Sequence, residues 1–122
     1  MATVESFKEL IVWQRSIQLT MEVYRLTKTF PRDEMFGLTV QLRRAAVSIA
    51  SNIAEGQSRG TKGEFIQFLG IARGSNAEVQ TQLIIARGLR IADEPTAIHC
   101  ESLCIEIAKM LNSLLITLKA TN

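Results

Sequence analysis

The sequence predicts an all-α protein, an antiparallel up-and-down four-helix bundle built from one domain of residues 1–122. Three observations favour this fold class. Apolar residues recur at helical spacing in four successive segments. The chain has only two prolines and seven glycines, enough turn residues for three helix connections but few for a many-stranded β-fold. The connections between segments are short, which makes sequential helices antiparallel neighbours.

The first helix is predicted over residues 7–29. Ser6 and Glu9 have the spacing of a capping box, and Pro31 disfavours helical geometry at the preceding residue. The segment carries two apolar stripes, one of Leu10, Trp13, Ile17, Met21 and Tyr24 and one of Val12, Leu19, Val23 and Leu26.

The second helix is predicted over residues 33–56, with Asp33 as its N-cap and Gly56 just past its end. Its main stripe contains Met35, Leu38, Leu42, Ala45, Ile49 and Ile53. A separate stripe of Val40, Val47 and Ala54 repeats every seven residues.

The third helix, over residues 61–91, begins with a capping box formed by Thr61 and Glu64. The fourth, over residues 95–119, follows Asp93 and carries its proline in the first turn. The apolar stripe of the third helix contains Phe65, Phe68, Leu69, Ala72, Val79, Leu83 and Ala86. That of the fourth helix contains Cys100, Cys104, Ile107, Leu111, Leu114 and Leu118.

The chain has more apolar and small-residue faces than one bundle core requires. Gly70, Gly74 and Ala77 form a bare strip at helical spacing. The strip allows close packing inside the bundle or, alternatively, contact with another subunit. The sequence therefore predicts a homo-oligomer whose candidate interface residues are Val40, Val47, Ala54, Gly70 and Gly74.

The sequence contains no pattern typical of an active site. His99 is the only histidine, and neither a phosphate-binding glycine loop nor a Glu-x-x-His pair is present. Cys100 and Cys104 share one helix face without further ligands, so they are predicted to be small core residues. We therefore expect no enzyme, no cofactor and no metal site.

The predicted location is the cytoplasm. The N-terminus lacks a basic region followed by an apolar run, so no signal peptide is expected. No stretch approaches the roughly 20 apolar residues of a membrane span.

The net charge of +2 conceals an uneven distribution. Residues 43–90 contain seven basic and three acidic side chains, whereas residues 91–122 contain two and four. Basic residues in the middle segment could bind nucleic-acid phosphates, or could form a solvated face with local salt bridges. In a ring of subunits, a modest basic patch on each subunit would combine into a larger positive surface. The candidate nucleic-acid-binding residues are Arg43, Arg59, Lys62, Arg73, Arg87 and Arg90.

A polar stripe runs along the second helix between its two apolar ones. Such a stripe is expected to be partly buried and to satisfy its own hydrogen bonds. We interpret it as structural, fixing register or oligomeric state, more readily than as a ligand site. Its residues are Gln41, Arg44, Ser48, Asn52 and Glu55.

Four motifs extend along the chain: Leu10-x-x-Trp13, Phe30-Pro31-x-x-Glu34-x-x-Gly37-Leu38-x-x-Gln41-Leu42-Arg43-Arg44-Ala45-Ala46-x-Ser48-Ile49, Ser51-Asn52-Ile53-Ala54-Glu55-Gly56-x-x-Arg59, and Phe65-x-x-Phe68-Leu69-x-x-Ala72-x-Gly74-Ser75-x-x-Glu78. Together they resemble the 23S rRNA intervening-sequence protein family, and the resemblance covers essentially the whole chain. Ala50 is a departure, since the family often has proline there, and the absence of proline predicts a straighter second helix.

The resemblance implies a four-helix bundle that assembles into a homopentameric ring. The family is similar to the accessory variability proteins of diversity-generating retroelements, basic pentameric barrels that bind nucleic acid and a reverse transcriptase. The leading hypothesis is a non-enzymatic homo-oligomer that binds structured RNA or DNA, with RNA favoured, mostly through phosphate contacts. The alternative is a protein-interaction scaffold that recruits a partner such as a reverse transcriptase.

Overall fold

A computed structural model describes residues 6–121, and all regular structure in this range is helical. Short 3₁₀ turns at Phe7–Glu9 and Arg32–Glu34 precede the first two helices. Residues 1–5 and 122 of the predicted domain lie outside the described residues. The helices are α1 (Ile11–Thr27), α2 (Leu38–Ser58), α3 (Lys62–Gly88) and α4 (Glu94–Ala120).

Each helix packs against two others in cyclic order. Helix α2 contacts α1 and α3, while α4 contacts α3 and α1. Because the connections are short, neighbouring helices run antiparallel. The predicted up-and-down four-helix bundle is confirmed.

The core is aliphatic, and it is built from one of the two stripes of α1. Val12, Leu19 and Val23 are buried, whereas Met21 and Tyr24 are exposed. The two stripes diverge around the helix, so only one can point at the bundle axis. The other core helices contribute Leu42, Ile49, Ile53, Leu69, Val79, Leu83, Ile107 and Leu111, all fully buried.

Two predicted helix starts are wrong. Ser6 caps the short 3₁₀ turn, where its Oγ accepts from the Lys8 N–H at 3.2 Å, and extended Leu10 delays α1 to Ile11. Asp33 belongs to the second 3₁₀ turn, and α2 begins only after Gly37. Met35 precedes the helix and is 52% exposed, so its assignment to the core stripe is also wrong.

The end of α2 also differs from the prediction. Gly56 lies inside the helix, buried against α3, and is not the residue beyond its end. Helix α2 continues to Ser58, and Gly60 takes the left-handed conformation, with φ +85°. The predicted capping box of α3 is confirmed, since Thr61 Oγ1 accepts from the Glu64 N–H at 3.2 Å.

Helix α3 ends at Gly88, earlier than the predicted residue 91, in a Schellman motif. Arg90 N–H donates to the Arg87 carbonyl at 3.0 Å, and Ile91 N–H donates to the Ala86 carbonyl at 3.1 Å. Arg90 takes the left-handed conformation with φ +59°, a position that usually holds glycine. Among residues 6–121, no helix is long and apolar enough to cross a membrane.

Cys100 and Cys104 are buried in the core as free thiols, as predicted. Burial raises the pKa of Cys100 to about 12, with Glu22 and Glu101 adding to the rise. Burial also raises the pKa of Cys104. Both thiols therefore stay protonated and unreactive at neutral pH.

We expect these thiols to make the fold sensitive to alkali. Their folded pKa values lie above the ordinary 9.0, so their contribution is present below about pH 9 and is lost as pH rises toward 12. The free energy of unfolding, measured with urea near pH 8 and near pH 10, should fall less between the two pH values in a Cys100→Ala/Cys104→Ala variant than in the parent. Equal losses in the two proteins would contradict this prediction.

Candidate nucleic-acid and subunit surfaces

Arg43 joins α2 to α1 and does not project freely into solvent. Its Nε donates to Thr27 Oγ1 at 2.8 Å. Its guanidinium carbon lies 4.6 Å from the centre of the Tyr24 ring, within cation–π distance. This predicted phosphate ligand is therefore already bonded within the chain.

Arg59 and Arg87 each bind two carboxylates. Arg59 contacts Glu55 at 2.8 Å and Glu64 at 3.2 Å, and the hydrogen bond to Glu55 is the main cause of its raised pKa. Arg87 Nη2 lies 2.6 Å from Glu94 Oε1, and its Nη1 lies 2.8 Å from Glu101 Oε2. These arginines tie successive helices together near their connections.

Lys62 and Arg73 connect α3 to residues in or just after α4. Lys62 Nζ donates to the Thr121 carbonyl, and Arg73 Nη1 donates to Asn112 Oδ1 at 3.2 Å. Five of the six predicted nucleic-acid ligands thus have partners inside the bundle. Within the described part of the chain, Arg90 is the member of the six without a side-chain hydrogen bond or ion pair.

Two further free cations lie at the same end of the bundle as Arg90. The α1–α2 and α3–α4 connections meet there, and Arg90 lines a groove with Arg25 of α1 and Thr29 of the first connection. Lys28 and Arg32 line the adjoining groove. Neither side chain forms an ion pair within residues 6–121. We call Lys28, Arg32 and Arg90 the basic end.

Most carboxylates at this end already accept hydrogen bonds. Asp93 caps α4 by accepting from the Thr96 N–H at 3.2 Å. Glu94 binds Arg87, and Glu34 accepts from the Leu38 N–H at 3.4 Å. The donors of the basic end therefore remain available while most of its carboxylate acceptors are engaged.

Lys28 and Arg32 were not among the binding residues predicted from the sequence. Both fall in residues 1–42, where five basic and five acidic side chains balance, so the charge distribution along the chain does not single them out. A signal was present in the antiparallel topology, which places the first and third connections at one end. Counting charge by bundle end would have grouped Lys28, Arg32 and Arg90.

The valine stripe, Val40, Val47 and Ala54, lies on the outside of α2. Val40 and Val47 are 40% and 41% exposed, and Ala54 is half-buried. The stripe adjoins α1, because Arg43 lies one turn from each valine and binds an α1 residue. It forms an apolar surface that the bundle itself does not cover.

The glycine ridge, Gly70 and Gly74, lies on the outside of α3. A Cβ added at either position would meet nothing within 4 Å among the described atoms. The alternative that these glycines allow close packing within the bundle is therefore wrong. The ridge adjoins α4, because neighbouring Arg73 binds an α4 residue.

The polar stripe of α2 divides into inner and outer members. Asn52 Nδ2 donates to the Ser48 carbonyl at 2.8 Å, and Ser48 Oγ lies 2.9 Å from Ser75 Oγ on α3. Glu55 binds Arg59. Gln41 and Arg44 are exposed, so only Ser48 and Asn52 are partly buried as predicted. Arg44 forms no ion pair within residues 6–121.

The residues described contain no arrangement typical of a metal site. No three side chains of His, Cys, Asp or Glu lie together in residues 6–121. His99 is exposed on α4. The surfaces that remain for function are the basic end, the valine stripe, the glycine ridge and the outer polar residues.

Comparison with known proteins places this arrangement in a family. None of the curated proteins matches the chain. A crystal structure of a protein of unknown function from the S23 ribosomal protein family of Bacteroides thetaiotaomicron has the same fold. Its TM-score is 0.78 at 23% identity, over 85% of this chain and 97% of that one. The model of the 23S rRNA-intervening sequence proteins matches residues 8–113, so the chain belongs to this family.

Proposed function

We propose that the protein is a non-enzymatic homo-oligomer that binds structured RNA through phosphate contacts at its basic end. The observation that carries this proposal is the gathering of Lys28, Arg32 and Arg90, three cations without internal partners, at one end of the bundle. Free Lys and Arg donors bind phosphate oxygens and displace condensed counterions. Phosphate contacts position a protein on RNA but carry little sequence information.

The backbone of Arg90 supports the same proposal. A non-glycine residue at φ +59° is strained, and strain of this kind is retained more often at functional positions. Glycine would stabilise the Schellman motif better. Arginine at this position adds a free guanidinium to the basic end at the expense of stability.

Two surfaces support assembly into a closed ring. The valine stripe adjoins α1, and the glycine ridge adjoins α4, so they lie on opposite sides of the α2–α3 face. An apolar stripe that meets a bare ridge on the next copy makes a head-to-tail contact, and such contacts form a ring when the rotation between successive copies closes. A pentamer is the ring that the family resemblance implies. In a ring, several basic ends combine into one positive surface.

The family name favours RNA over DNA as the ligand. The matching family is that of 23S rRNA-intervening sequence proteins, and the structural neighbour is assigned to a ribosomal protein family. Both names associate such proteins with ribosomal RNA or its genes.

A triple variant tests the basic end. Lys28→Gln, Arg32→Gln and Arg90→Gly remove three positive charges, and glycine suits the left-handed backbone at position 90. Fluorescence anisotropy with a structured RNA at low salt should show affinity at least about tenfold lower than that of the parent. The slope of log affinity against log salt should become shallower by about one for each phosphate that the variant no longer binds.

The matched control removes three free charges elsewhere, with Lys8→Gln, Lys109→Gln and Lys119→Gln. This variant has the same net charge as the triple variant, so a general electrostatic effect would weaken both equally. Equal weakening would count against the basic end as the binding surface. Absence of RNA binding by the parent at low salt would count against the whole proposal.

A protein-interaction scaffold is the second candidate function. Phe36 is 92% exposed beside half-exposed Met35, close in sequence to the basic end. Exposed aromatic residues are common anchors in protein interfaces. A partner such as a reverse transcriptase that binds the triple variant normally but fails to bind Phe36→Ser would favour this function.

A further inference from the structure

We infer that the groove between α2 and α3 binds an unpaired guanine base. The groove has a volume of about 380 Å³, large enough for a nucleobase. The biological setting of this inference, a base presented by RNA, rests on the proposed function. The groove is lined by Gln41, Arg44 and Ser48 from α2 and by Ser75, Glu78 and Gln82 from α3.

The α3 wall of the groove offers a carboxylate acceptor. Gln82 Oε1 is buried and accepts no hydrogen bond from the described residues. Glu78 lies one turn earlier on the same face, and its carboxylate forms no ion pair within residues 6–121. Gln82 Oε1 has almost no accessible surface, so a ligand in the groove does not reach it. The exposed Glu78 carboxylate, whose two oxygens can accept two adjacent donors, is the acceptor that this wall offers. This wall therefore favours a ligand with adjacent N–H groups.

The α2 wall and the floor offer donors. Arg44 presents a free guanidinium, which can donate two parallel hydrogen bonds. The Ser48 and Ser75 hydroxyls lie 2.9 Å apart, so one of their two protons is used between them. Asn52 Nδ2 donates to Ser48 Oγ at 2.9 Å, so this contact uses neither hydroxyl proton. The second hydroxyl proton therefore remains free for a ligand acceptor.

Guanine complements both walls. Its N1–H and N2–H₂ groups are adjacent donors that one carboxylate can accept together, and its O6 and N7 are the acceptors that arginine binds in pairs. Adenine lacks the N1–H and O6 groups, and the pyrimidines lack two adjacent donor groups beside a carbonyl. Proteins read single-stranded RNA by such contacts to exposed base edges.

Ring assembly would leave this groove open. The valine stripe and the glycine ridge lie on the two flanks of the α2–α3 face, and the groove lies between them. Adjacent copies that meet through those flanks do not need to cover it. Base binding in the groove and phosphate binding at the basic end can therefore occur on one ring.

Three mononucleotides test the groove. GMP, IMP and AMP carry the same phosphate, so binding at the basic end affects all three equally. In an NMR titration of the ¹⁵N-labelled protein, GMP should shift the side-chain amide of Gln82. IMP lacks the N2 amino group and should bind about tenfold more weakly, and AMP should leave that signal unshifted.

Glu78→Gln removes the accepting carboxylate and should lower GMP affinity at least about tenfold. Asp33→Asn, the matched control, removes the same charge from an exposed residue outside the groove and should not lower GMP affinity. Arg44→Lys tests the opposite wall, since lysine cannot make the paired contact. Equal binding by Glu78→Gln and Asp33→Asn would overturn the inference.

The outcomes separate this inference from the proposed function. RNA binding without preference among the three nucleotides would overturn the guanine site and leave the basic end intact. GMP-selective shifts at Gln82 in a protein without RNA affinity would support the site and overturn the proposed function. A Gln82 signal that no nucleotide shifts would also overturn the site.

Discussion

Val47→Glu is expected to convert the proposed oligomer into a species near the monomer mass of 13.6 kDa. The side chain is 41% exposed on the outside of α2, so the protomer can accept the carboxylate without burying it. In the proposed ring the valine stripe would lie against a neighbouring copy, where an unpaired charge costs several kcal/mol at each contact. Light scattering measures the mass, and circular dichroism checks that the helices persist.

Ile11→Glu provides the control for that experiment. Ile11 is 57% exposed on α1 and lines a groove with Lys109 and Ser113 of α4, so it lies on the α1–α4 side of the bundle, away from both proposed contact surfaces. The substitution makes the same chemical change, and this variant should remain assembled. If Ile11→Glu dissociates and Val47→Glu does not, the interface lies on the α1–α4 side. A parent protein that is monomeric in dilute solution would remove the ring from the proposed function altogether.

The fold was predictable because its signals are local. Stripes at helical spacing identify the four helices, and the Thr61 and Glu64 pair places the start of α3 to within a residue. The start of α2 was not predictable in this way. Asp is a residue type that is common at N-caps, but the chain around Asp33 first makes a 3₁₀ turn, and the non-helical Gly37 delays the start of the helix.

The candidate site was less predictable because partners of charged side chains come from other helices. Arg87 binds Glu101, 14 residues away, and Arg73 binds Asn112, 39 residues away. No periodicity in the sequence distinguishes these bonded arginines from free ones. Which of the two α1 stripes is buried was unpredictable for the same reason, because it depends on where α2 and α4 pack.

Gly56→Ala is expected to destabilise the bundle by about 1–3 kcal/mol, even though alanine is the better helix former. The new Cβ would lie 2.6 Å from Phe68 Cβ and 3.3 Å from Phe65 Cδ1. Phe68 Cβ is fixed to the α3 backbone and cannot rotate away, so the two helices must separate. Urea unfolding should show a lower midpoint, and an unchanged midpoint would contradict this close contact.

Gly70→Ala is the matched substitution with the opposite expected sign. Its Cβ meets nothing within 4 Å among the described atoms, so helix propensity alone predicts stabilisation of the protomer by about 1 kcal/mol. This gain should be measured in the Val47→Glu background, where association does not contribute to stability. In the proposed ring the same methyl group would project from the glycine ridge into the neighbouring copy and weaken association. A gain in the monomer together with a loss in the assembly would identify the ridge as a subunit contact, because no effect within one bundle changes sign in this way.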